Sequence, residues 1–96
     1  MGFLNYGDAQ RFVFTDRELT HLRTVVLGKL SSQESFAFTW HGAGSQHSLW
    51  LHPSITLHFE FESDYSPELN HHWIEQLQAL ASSPGGLKLI DEPLDQ

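Results

Sequence analysis

The sequence predicts an α+β fold: one mainly antiparallel sheet with two helices packed on one face, in the order ββαβββαβ. Three observations predict it. Apolar residues alternate at period two over residues 35 to 62. They recur at helical spacing after Thr15 and again after Ser66. Runs rich in Gly, Pro and Ser separate these segments.

The first two strands are Phe3-Leu4-Asn5-Tyr6 and Arg11-Phe12-Val13-Phe14. They flank Gly7-Asp8-Ala9-Gln10, which reads as a hairpin turn. Thr15 and Glu18 then have the spacing of a capping box, with Phe14 and Leu19 placed as a hydrophobic staple. They open a helix from Asp16 to Leu30 whose apolar stripe is Leu19, Leu22, Val26 and Leu30. Ser31-Ser32 ends it.

Residues 35 to 62 read as a three-stranded antiparallel unit. Phe36, Phe38, Trp40, Leu49, Leu51, Ile55, Leu57, Phe59 and Phe61 fall on one face. Alternation then puts Thr39, His41, Ser48, Trp50, Thr56, His58, Glu60 and Glu62 on the other. The loop 41–46 and the turn His52-Pro53-Ser54 connect the strands. The second helix is expected to begin at Ser66-Pro67-Glu68, with Ser66 as its cap, and to bury Leu69, Trp73, Leu77 and Leu80. Leu87 to Ile90 is a short last strand. Residues 91–96 are an acidic tail, expected to be disordered.

The chain has 96 residues, which suits a single domain, 1–96. A chain of this size buries roughly 60–70% of its unfolded surface, so it needs no disulfide or metal to fold. Cysteine is absent, which excludes thiolate zinc sites and a cysteine nucleophile. No apolar run approaches a membrane span and the N-terminus lacks the pattern of a signal peptide, so a cytoplasmic location is expected, away from any membrane. The formal net charge of −7 makes nucleic acid an unlikely partner, because that binding rests on neutralising phosphates.

Candidate chemistry is sparse. There is no nucleophile elbow and no Walker sequence. Gly42-Ala43-Gly44-Ser45 precedes a strand and lacks the third glycine of a dinucleotide fingerprint. Glu60, Glu62 and Asp64 read as a solvated charged strand. No catalytic residue is assigned. The seven histidines raise a divalent metal, with His41, His47, His52 and His58 as weak candidate ligands. On a single sheet His41 and His58 would stand roughly 10 Å apart, wide for one ion. No cofactor is otherwise expected. The sharper feature is Trp50, a large aromatic on the polar face. Indole is a favoured interface anchor, so Trp50, Thr39, Thr56 and His58 are candidate contacts for a protein partner or a second copy. The alternative is that a neighbouring segment covers Trp50.

Several segments together also carry a resemblance: Met1 to Gly7, Asp16-Arg17-Glu18-Leu19-Thr20-His21-Leu22, Gly28-Lys29-Leu30, Glu34 to Trp40, Ser48-Leu49-Trp50-Leu51-His52-Pro53-Ser54-Ile55, Trp73-Ile74-Glu75 and Ser82 to Leu87. The whole resembles a family of small uncharacterised actinobacterial proteins often labelled "ATP-dependent DNA ligase". The resemblance implies a connection with DNA ligation, as an enzyme or an accessory protein. It transfers no catalytic residue. Lys29 precedes Leu30-Ser31-Ser32 and Lys88 precedes Leu89-Ile90-Asp91, so neither stands in the K-x-D-G motif that forms a lysine–adenylate. Three readings follow: an interaction or dimerisation module without catalysis, a histidine-based metal or small-ligand binder, and a ligation accessory.

Overall fold

Alternating apolar residues near the N-terminus pair into two strands, β1 (Gly2–Tyr6) and β2 (Gln10–Phe14), turned at Gly7, whose φ is 64°. Thr15 closes the capping box as the sequence predicts. Its hydroxyl accepts the Glu18 N–H and the Glu18 carboxylate accepts the Thr15 N–H, each at 3.0 Å. Helix α1 (Asp16–Ser31) follows, then β3 (Phe36–Gly42), β4 (Ser45–Leu51), β5 (Leu57–Glu60), α2 (His71–Ala81) and β6 (Leu87–Lys88). This computed structural model describes residues 1–64 and 66–94. The fold is α+β with the expected element order.

The sheet arrangement differs from the single sheet expected. Six strands form two three-stranded sheets, β2-β1-β5 and β4-β3-β6. The first is antiparallel, with Leu4 between Phe12 and Phe59. In the second, β3 pairs antiparallel with β4 and parallel with β6. β5 therefore does not return to β4. The Pro53 turn, closed by the Ile55 N–H on the His52 carbonyl, leads the chain away, and the Gly7 N–H binds the Thr56 carbonyl at 2.9 Å. That bond delivers β5 to β1. Period-two alternation fixes which face a side chain takes, but not which strand lies beside it.

The apolar faces of both sheets and both helices share one core. Phe38, Leu19, Leu22, Leu51, Leu77 and Leu87 are fully buried. Aromatics join the sheets: Trp40 meets Phe12 edge-on at 5.0 Å and Phe14 at 5.3 Å between ring centroids. Such pairs add about 1 kcal/mol beyond the area they bury. Gly86, at φ 80°, lies so close to β3 that a Cβ there would stand 2.6 Å from the Ala37 carbonyl oxygen. Only glycine lets β6 approach.

The second helix starts later than expected. Its cap is Asn70, whose side chain accepts the Trp73 N–H at 3.1 Å. Ser66 to Leu69 precede the helix. A tertiary contact decides this. Buried His21 of α1 accepts the Asn70 N–H on Nε2 at 2.8 Å, while its Nδ1 donates to the Arg17 carbonyl at 2.7 Å. A carbonyl can only accept and an N–H can only donate, so these bonds fix the tautomer. The Asn70 amide then donates to the Glu92 carboxylate and to the Pro93 carbonyl. Arg17 clamps Glu92 with two guanidinium nitrogens. The acidic tail is thus tied down through Pro93 rather than frayed. Asp95 and Gln96 lie outside the described residues. Among those described, no helix is long and apolar enough to cross a membrane.

Candidate interaction face

Ala43 and Gly44 both take positive φ, 52° and 78°, which makes the β3–β4 link a two-residue type I′ hairpin. In such a hairpin the flanking pair, Gly42 and Ser45, exchanges both backbone bonds, and the pattern alternates from there. Phe36, Phe38 and Trp40 face the core with Leu51, Leu49 and His47 opposite them. Ala37, Thr39 and His41 face outward with Trp50, Ser48 and Gln46 opposite. Lys88 of β6 joins that outer face beside Thr39.

Trp50 is 57% exposed there. Its cross-strand neighbour is Ala37, a methyl group too small to cover an indole. Thr39 and Ser48 share a hydroxyl–hydroxyl bond of 2.8 Å, which leaves a flat, neutral floor beside the ring. The backbone under Trp50 is fixed, because the Tyr6 hydroxyl donates to its carbonyl at 2.7 Å.

The outer face of the first sheet is built differently. Arg11 lies 3.7 Å above the Phe3 ring and pairs with Glu60 at 2.9 Å. Asn5 donates to the His58 carbonyl across β1 and β5. The N-terminal ammonium binds Glu62 at 2.9 Å, and this hydrogen bond raises its pKa above the ordinary 8.0.

The four candidate contacts therefore divide. Trp50 and Thr39 share the outer face of the second sheet. Thr56 lies in the connection before β5. His58 stands on the outer face of the first sheet, opposite Asn5. The candidate ligands divide as well. His41 faces outward, while His47 faces inward and stacks on Trp40 at 5.0 Å. The ring of His52 bonds Ser54 within its own turn. Among the described residues no three His, Asp or Glu side chains converge as a metal would require.

Residues beyond the expected set complete the face, Ala37, Gln46 and Lys88, while Tyr6 packs against the core from β1 and ties the strand edge through the Trp50 carbonyl. One signal points to this region. Between Ser35 and Phe59 the chain has no Asp, Glu, Lys or Arg, although it carries twelve acidic residues elsewhere. Lys88 is then the only formally charged side chain on the three strands of the second sheet.

The clasp at the other end of the molecule has different electrostatics. Hydrogen bonds from Arg17, and then from Asn70, hold the Glu92 carboxyl at about 2, well below the ordinary 4.5. Its groups are bonded to one another, so they act as a structural tie.

Fold and face together define a small α+β domain with an exposed tryptophan on one sheet. Residues 1–92 match the family model described as "Domain of unknown function (DUF7882)", and the chain belongs to that family. Neither the curated proteins nor the solved structures contain a match.

Proposed function

We propose that the protein is a non-catalytic interaction module whose contact surface is the outer face of the second sheet, centred on Trp50. The exposure of Trp50 on a strand with a fixed backbone carries this reading. Large aromatics held rigidly lose little entropy on binding and dominate interface energetics. A neutral floor of Thr39 and Ser48 supports it, since charged groups are depleted at interface centres.

The test is photo-cross-linking in cells, with benzoylphenylalanine placed at position 50 or at position 13. Val13 is 53% exposed on the other sheet and serves as the control. A defined adduct from position 50 and none from position 13 is the expected result. Equal labelling from both sites, or none from position 50, removes the proposal.

A further inference from the structure

We infer that β4 is a self-pairing edge, and that the partner at this face is a second copy of the chain joined β4 to β4 in antiparallel register. The inference rests on the interaction-face reading and names its occupant.

Backbone direction is the first support. Gly42 and Ser45 form a hydrogen-bonded pair, so Gln46, Ser48 and Trp50 turn their N–H and C=O away from β3. The Tyr6 hydroxyl on the Trp50 carbonyl agrees, because it reaches that group from outside the hairpin. Among the described residues no group bonds the outward N–H and C=O of Gln46 and Ser48.

The second support is the absence of edge protection. Natural edges carry charges, prolines or very short strands to block pairing. Arg11 guards β2, Glu60 guards β5, and β6 has two residues and Lys88. β4 is seven residues long and has none of these devices.

Charge permits a second copy at this edge. Each chain carries a formal −7, so two copies repel wherever carboxylates meet. The second sheet has no carboxylate, and pairing there keeps the acidic surfaces apart. A two-fold axis at His47 sets Gln46 of each copy against Ser48 of the other, each pair exchanging both backbone bonds. Trp50 then lies opposite Gly44 of the second copy, and Tyr6 keeps its bond to the Trp50 carbonyl. A register centred on Ser48 would instead set Gln46 against that occupied carbonyl.

Sedimentation equilibrium over a concentration series tests this. Wild type should rise from 11.0 kDa toward twice that mass, and more readily at high salt, which screens the repulsion. Ser48→Pro removes the outward N–H without breaking the β3 ladder, and should stay monomeric. Ser48→Lys, which installs an edge lysine, should do the same if the proline variant folds poorly. Ser48→Ala should dimerise like wild type. A dimer that survives both Ser48→Pro and Ser48→Lys overturns the inference. So does a strict monomer. A monomer that still gives a heavier adduct from position 50 overturns self-pairing and leaves the interaction face standing. Without that adduct, both fall.

Discussion

The outer faces of the two sheets use their side chains in opposite ways. On the first sheet polar and aromatic groups answer one another: Arg11 stacks on Phe3, Glu60 holds Arg11, and Asn5 spans to β5. On the second sheet Trp50 stands opposite only the small Ala37 and is 57% exposed. Stability resides in the first kind of surface, and recognition is proposed for the second. Groups that are paired within the chain hold the fold. A large group left unpaired on a rigid strand is available to another molecule. The His21–Asn70–Glu92–Arg17 clasp extends the first kind of surface to the helical side of the domain.

Substitutions can break that contrast, and the clasp should show the largest effect. His21→Ala leaves the buried Asn70 N–H without its acceptor and opens a cavity. It should lower stability by about 3 kcal/mol in urea unfolding. Asn70→Ala removes a helix cap and the amide bonds to Glu92 and Pro93, for a loss of about 2 kcal/mol. Arg11→Ala, on an exposed pair, should lose no more than about 1 kcal/mol. Trp50→Thr keeps a β-branched residue in the strand and should leave stability within about 0.5 kcal/mol of wild type. Yet it should abolish the dimer. A large stability loss at position 50 would place Trp50 with the structural groups and erase the contrast.

Acid sharpens the same comparison. The folded-state Glu92 carboxyl ionises at about 2, against an ordinary 4.5. A depressed carboxylate stabilises the fold fully above its unfolded value and loses that contribution as pH falls through the folded one. The melting temperature of wild type should therefore drop more steeply between these two values than that of Glu92→Gln. Identical slopes would mean that the ionised Glu92 carboxylate contributes nothing to stability.

Much of this was legible in the residues. Thr15 and Glu18 located the first helix because a capping box is a local bond pattern. Alternation placed Trp50 outside, since Leu49 and Leu51 must face in. Other features depended on distant partners. Ser66-Pro67-Glu68 is a good local start for a helix, but His21, far away in sequence, holds Asn70 and sets the cap there. Periodicity groups Thr56 and His58 with Trp50 because it assigns a face within one sheet and is silent on the division into two. The free edge of β4 needs both the hairpin phase and the reach of Tyr6, neither of which a pattern of apolar residues contains. The charge-free run from Ser35 to Phe59 was the readable trace of that surface.

Trp50, and not the buried indoles, is the proposed partner contact. The chain has three tryptophans. Trp40 and Trp73 are buried, so 5-fluorotryptophan labelling gives one exposed probe and two internal references. The most direct measurement is the fluorine spectrum of the labelled protein, recorded while its own concentration is raised and then in cell extract. The Trp50 resonance should shift or broaden while the other two hold still. A Trp50 resonance unchanged under both conditions would contradict the proposed contact.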